Sequence, residues 1–343
     1  MGLQRSARAS LWLLAFPLVT LVVMLVAIAV GSVNIPLAGT VDVLWNALTR
    51  QPQPDPMAAS IIVTTRLPRV LCAALVGAAL SIGGASMQGL LKNPLADGTT
   101  LGVSSGASLG AVIALAFGVT IPGLPYSGVV VLSILFACLS LLVILTLAYR
   151  LDSSLSTNTI ILLGVIFSMF ASAVVSLLVT FAGEQIRSIT FWMMGSMASA
   201  SFPNAGLLAV ATLVGGLVLY GCARELNAFA VGEDNARHIG VDVRRVRFTV
   251  LIASAVLIGV CVSMSGTIGF VGLVTPHMMR MVVGPNHRVL LPATVFGGAT
   301  FLMLADLVSR TIFSPRELPI GVVTSFIGAI FFLGLFYYSR KRG

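Results

Sequence analysis

The stretch "GTIGFVGLVTPHMMR", residues 266–280, sets a proline, a histidine and an arginine directly behind an apolar run. It closes a charge-free window of roughly 32 residues, 248–279, which as one straight helix would be about 48 Å long at about 1.5 Å per residue. A single crossing of a bilayer's hydrocarbon needs only about 30 Å. The window is therefore read as a full span to about Gly266, followed by a short return crossing through Val271 and Pro276 to Arg280. On this reading Pro276, His277 and Arg280 end the return helix at the cytoplasmic face. Arg280 reaches water or a helix C-terminus, and His277 makes a local hydrogen bond. A metal site would need more ligands than this neighbourhood offers.

Composition puts the rest of the chain in the same setting. Of 343 residues, 57% are hydrophobic and 9% charged, with a mean hydropathy of +1.04, far from the roughly one-quarter charged content of soluble domains. A charge at mid-bilayer costs at least about 2.5 kcal/mol, so charge-free windows locate the spans. They cover residues 9–41, 70–91, 98–149, 153–183, 188–223, 248–279, 289–305 and 318–339. The third is long enough for two spans, with Gly118, Pro122, Gly123 and Pro125 marking the turn. The fifth holds one span over about 202–222, after an amphipathic piece, "IRSITFWMMGSM", that lies at the surface or re-enters. With the return crossing counted there are ten spans. Fourteen of the twenty Lys and Arg residues then face the cytoplasm and six face out, and both termini are cytoplasmic. Nine spans would move the terminal Arg340-Lys341-Arg342 cluster outside and leave Arg280 on the wrong face. The first apolar run, 11–30, exceeds the roughly 7–15 residues of a signal-peptide core and reads as an uncleaved anchor.

Small residues at four-residue intervals allow helices to approach closely in lipid. Gly77, Ser81, Ala85 and Gly89 form one such stripe, Gly102, Gly106 and Gly110 a second, and Gly321, Ser325 and Ala329 a third. The second, third and tenth spans are accordingly expected inside protein. Cys72, Cys138, Cys222 and Cys261 fall within or at the edge of spans without a CxxC pair, so they are read as small hydrophobes.

No catalytic motif stands up. His238, His277 and His287 lack an HExxH-like partner, and "GVSSG" at 102–106 lies on a small-residue stripe rather than at a strand-to-helix turn. The carboxylates all fall in loops or near helix ends, which leaves no mid-membrane group for proton or sodium coupling. Neither Lys92 nor Lys341 sits in a P-loop, so any ATP is hydrolysed by another subunit. The longest cytoplasmic connection, "ARELNAFAVGEDNARHIGVDVRRVR" (223–247), brackets one short helix between Gly232 and Gly240. It reads either as a solvated basic loop or as a lever that docks into such an ATPase. The basic isoelectric point of about 10.1 does not argue for nucleic acid, because the cations sit mainly on the membrane's inner face.

These residues resemble the FecCD family of ABC-importer permeases, the vitamin B12, ferric-siderophore and haem class. The matching motifs are "RLPRVLCAALVGAALSIGGASMQGLLKNPLADGTTLGVSSGASLGA" (66–111), "GEDNARHIGVDV" (232–243), "GTIGFVGLVTPHMMR" (266–280), "NHRVLLPATVFGGATFLMLADLVSR" (286–310) and "ELPIGVVTSFIGA" (317–329). The resemblance implies an all-α permease of the type II ABC importer architecture, one domain over 1–343 with a coupling segment at 224–247, in the bacterial cytoplasmic membrane. It implies a second permease copy, expected as a homodimer, two cytoplasmic ATPase subunits that hold ATP and Mg, and an extracytoplasmic binding protein. No cofactor is implied within this chain. Carried over by position, Arg66, Arg69 and Arg310 would dock the binding protein, with Arg316 a weaker candidate. Gly232, Glu233, Ala236 and Gly240 would centre the coupling segment. Ser156, Thr157 and Asn158 would form the cytoplasmic gate, although Ser156 could equally cap a helix. The fifth and tenth spans would line the path. An iron complex, a ferric siderophore or haem, is the expected cargo. Cobalamin or an oxyanion such as molybdate is the alternative within the same architecture, and a self-contained secondary transporter the alternative outside it.

Overall fold

The computed structural model describes residues 2–31, 33, 35–120, 127–152 and 155–340. Among them the regular structure is helical. In chain order the helices are α1 (Gly2–Ala29), α2 (Leu37–Thr49), α3 (Pro56–Ser60), α4 (Leu67–Leu91), α5 (Val103–Ala116), α6 (Ser127–Leu151), α7 (Thr157–Phe181), α8 (Ile186–Met193), α9 (Phe202–Gly221), α10 (Ala223–Val231), α11 (Glu233–His238), α12 (Val243–Ser265), α13 (Val271–Val283), α14 (His287–Thr311) and α15 (Ile320–Arg340). A wide π-helical turn over Ile61–Arg66 joins α3 to α4 in one continuous rod. Six helices are long and apolar enough to cross a membrane, and four shorter apolar ones lie in α1, α5, α13 and α15. Together they match the ten expected spans. The turn expected at Pro122, Gly123 and Pro125 lies outside the described residues.

Side-chain caps fix where several helices begin. Asp55 accepts from the amides of Met57 and Ala58, Ser201 from Asn204, Asp242 from Arg245 and Asn286 from Arg288. Each leaves a loop free to turn without stranding donors in lipid.

The rod's second part, α4, is the axis of the bundle, and nearly every side chain on it is buried. It packs against α14, α13, α12 and α9. Glycine sets two of those contacts: a methyl at Gly77 would strike the carbonyl of Gly298 on α14, and one at Gly84 the carbonyl of Gly272 on α13. On α5, Gly106 and Gly110 meet the carbonyls of Phe136 and Leu132 on α6 in the same way. Gly102 departs from its stripe. It is the left-handed residue (φ 73°) that precedes α5, and a methyl there would meet the carbonyl of Gly164 on α7 instead of a carbonyl of α6. The third stripe departs further, because Gly321 is buried but Ser325 and Ala329 are exposed on α15. Within one chain this face of the tenth span is open, so the expected protein cover there is not supplied by the chain's own described residues.

The opening stretch does form a span and a return. Gly266 ends α12, and α13 starts at Val271. Pro276 lies inside α13, where it has no amide hydrogen to give the carbonyl four residues back, that of Gly272. Gln88 on α4 supplies the missing donor, with Nε2 3.2 Å from the Gly272 oxygen, and its Oε1 accepts from Arg280 Nη2 at 3.1 Å. Half-buried Arg280 is thereby tied to a side chain of α4. His277 differs from expectation. Its Nδ1 has no hydrogen-bond partner among the described residues, and the ring packs edge-on against Phe331 at 6.2 Å.

Candidate functional site

Three regions bear on function, and the first is a buried ion cluster at one end of α4 and α14. Arg66 closes the π-helical turn, Arg69 follows in the first turn of α4, and Arg310 is in the last turn of α14. Asp306, 0% exposed, sits between them. It accepts from Arg69 Nε at 2.9 Å and from Arg310 Nε at 3.0 Å. Glu317 accepts from Arg69 Nη1 at 2.8 Å. The remaining donors turn to the end of α1, where Arg310 reaches the carbonyls of Ala27 (2.6 Å) and Val30 (3.1 Å). Arg66 donates to Ile28 (3.0 Å), to Ala29 (2.6 Å) and to Val33. Two guanidiniums thus satisfy the orphan carbonyls at the negative end of a helix. The three arginines expected to dock a partner are 5%, 9% and 5% exposed, with their polar edges committed internally. The reason is desolvation, since a cation under a bundle end is tolerable only when paired and hydrogen-bonded. The accessible group is Glu317, whose side chain is 46% exposed. Sequence reading passed over Asp306, although "ADLVSR" places it four residues before Arg310 on one helix face.

A cavity of about 600 Å³ lies between α5, α7, α8 and α15. Ser104, Ser105 and Ser108 face it from α5, Ser172 and Ser176 from α7, and Ser325 from α15, and no charged residue lines it. Ser108 is buried, and its hydroxyl has no partner among the described residues. The fifth and tenth spans, α7 and α15, do form walls of this chamber. At the other end of α7, Ser156 is the N-cap, bonded to Thr159, and Thr157 Oγ1 donates to the Leu91 carbonyl at 3.2 Å. Asn158 is exposed. Two of the three residues expected at a gate are therefore occupied in starting α7 and tying it to α4. They stand about 22 Å along the helix from Ser172.

The third region is the segment 224–247. Gly232 and Gly240 bracket α11 as the sequence led one to expect. Gly240 (φ 88°) donates to Arg237, and Val241 to Ala236, a Schellman arrangement that requires a left-handed residue. Ala236 is fully buried, and Glu233 pairs with Arg247 on α12. The sequence did not separate α10, which buries Leu226 and Phe229. Asn227 on α10 donates to Asn286 at 2.9 Å and accepts from the His287 amide at 2.8 Å at the start of α14. The segment is thus fastened to two spans.

Comparison with known proteins fits this geometry. Residues 19–338 match the model of the FecCD transport family. The chain is 40% identical to the cobalamin import system permease protein BtuC of Halobacterium salinarum, covering 84% of this chain and 75% of that protein. It is 38% identical to the hemin transport system permease protein HmuU of Yersinia pestis, over 94% and 95%. A solved ABC transporter assigned to the metal-chelate type, in an inward-facing conformation, superposes with a TM-score of 0.83 at 33% identity, over 95% of this chain and 98% of that one.

Proposed function

This chain belongs to the FecCD transport family and is an ABC importer permease, and on that premise we propose that its cargo is an iron complex, a ferric siderophore or haem. The observation that carries the reading is the hydroxyl-lined, charge-free chamber beside α7 and α15. Such a wall offers a chelate weak, reversible hydrogen bonds and no charge to trap it. With no ionisable group in that wall, the driving energy enters elsewhere. Two cytoplasmic ATPase subunits, holding ATP and Mg, push on α11 around Gly232, Glu233, Ala236 and Gly240. Both termini lie on that same side, in a bacterial cytoplasmic membrane, and Ser156, Thr157 and Asn158 close the inner end of the path. The outer end is the ion cluster. A binding protein's carboxylate takes the place of half-exposed Glu317 on Arg69, with Arg66 and Arg310 holding the cluster in shape. A second copy of the chain completes the path. Likeness to a cobalamin permease at 40% identity makes cobalamin the second reading.

The test is ATP-dependent uptake in proteoliposomes by the chain with its ATPase and binding protein, offered ferric siderophore, haem and cobalamin separately. Uptake of an iron complex that needs all three components is the expected result. Uptake of cobalamin alone would move the cargo to the second reading, and ion-driven uptake by the chain alone would sink the importer mechanism.

A further inference from the structure

The end of α6 and the start of α12 leave between them a cavity of about 650 Å³ that none of these roles uses. Its walls divide by chemistry. Leu142, Leu145 and Phe248 make an apolar side, and Arg237, Arg244 and Arg247 a cationic one. Asp242 is the one carboxylate in the lining, and it is engaged in capping α12 on the Arg245 amide at 3.0 Å. Arg247 is 7% exposed. It gives one Nη to Glu233, while its buried Nε has no partner among the described residues. Arg237 and Arg244 are exposed, and Arg244 lies over the Phe248 ring at 5.9 Å. Three guanidiniums therefore converge with one carboxylate to offset Arg247 and one already spent on a helix cap.

Height matters as much as charge. Leu142 and Leu145 are two or so turns above the end of α6, and Arg244 and Arg247 are in the first turns of α12. The cavity thus spans the level where hydrocarbon gives way to headgroups. We propose that it holds an anionic glycerophospholipid of the cytoplasmic leaflet, with its phosphodiester on Arg237, Arg244 and Arg247 and an acyl chain along Leu142, Leu145 and Phe248. Guanidinium forks match phosphate oxygens, and basic pockets between spans on the cytoplasmic side suit such headgroups. Free phosphate would satisfy the cations but leave the apolar wall empty. Because Arg247 also holds Glu233, an occupant of this cavity bears on the first residue of α11.

Native mass spectrometry of the delipidated full chain tests this, with phosphatidylglycerol and phosphatidylcholine of identical acyl chains added in turn. Phosphatidylglycerol is expected to bind about tenfold tighter, and the Arg237→Gln/Arg244→Gln pair to remove that preference. The pair Arg224→Gln/Arg288→Gln, at exposed positions outside the cavity, is expected to keep it. Equal affinity for the two lipids, equal loss in both double variants, or displacement of phosphatidylglycerol by excess inorganic phosphate would each overturn the proposal. A photoreactive phosphatidylglycerol on the unaltered chain gives a check free of folding effects. Labelling confined to 142–149 and 243–248 supports the site, and labelling only elsewhere rejects it.

Discussion

Asp306 shows how one side chain decides the state of its neighbours. At 0% exposure, its Oδ2 is the one carboxylate oxygen bonded to Arg310 among the described residues, and its Oδ1 shares Arg69 with Glu317. Asp306→Asn would keep the shape and remove the charge, leaving Arg310 buried with carbonyls alone. Removing one partner of a buried pair costs about 3–5 kcal/mol, so a large loss of stability in detergent is expected, read as a fall in the thermal midpoint of the purified chain. An unchanged midpoint would mean that the cluster is solvated and weak. Gln88→Leu is expected to cost less, about 1–3 kcal/mol, by orphaning the Gly272 carbonyl and Arg280 together. Neither residue was legible as important in the sequence. Asp306 reads as one helix-end acid among several, since only Arg310 of its partners is near it in the chain and Arg69 is far away, and Gln88 reads as one polar residue in an apolar run because both its partners are distant. The local signals were readable: the Gly232 and Gly240 bracket and the capping role weighed for Ser156.

At the scale of elements, hydropathy and charge placement recovered the spans because lipid penalises any other arrangement. They could not show α10, whose apolar face is buried by protein and not by lipid, nor which small-residue stripe meets a neighbour within one chain. α11 depends on a backbone conformation at Gly240 that a β-branched residue resists. Gly240→Val is expected to unwind the end of α11 while leaving the spans intact, so that ATPase activity of the assembled transporter persists and uptake falls at least about tenfold. The ratio of cargo moved to ATP hydrolysed measures this, and an unchanged ratio would count against the lever. Gly84→Leu acts on packing instead. Its side chain would meet the α13 backbone at Gly272, and the expected result is loss of folded material in size-exclusion profiles, with uptake and ATPase activity falling together.

In the whole molecule, α15 and α7 each leave one face without cover from the other described residues. Phe326, Ile330 and Leu333 are 68%, 68% and 71% exposed along α15, and Met169 and Phe170 are 71% and 61% exposed on α7. Exposed apolar surface suits lipid as well as protein, so exposure alone does not name a partner. Position does, because Ser325 and Phe326 border the hydroxyl-lined chamber, and lipid there would plug the path with acyl chains. A second copy set against α15 would close the chamber with a matching wall and keep it wet. Ile330→Cys, in a chain whose four native cysteines are replaced by serine, is therefore expected to form a disulfide-linked dimer in membranes under mild oxidation. Val210→Cys on α9, also exposed at 62%, serves as the lipid-facing control and is expected to stay monomeric on a denaturing gel. Equal cross-linking at both positions would signal random collision. Cross-linking at Val210→Cys alone would place the partner on the opposite face and leave the chamber to be closed by something other than a second copy of this chain.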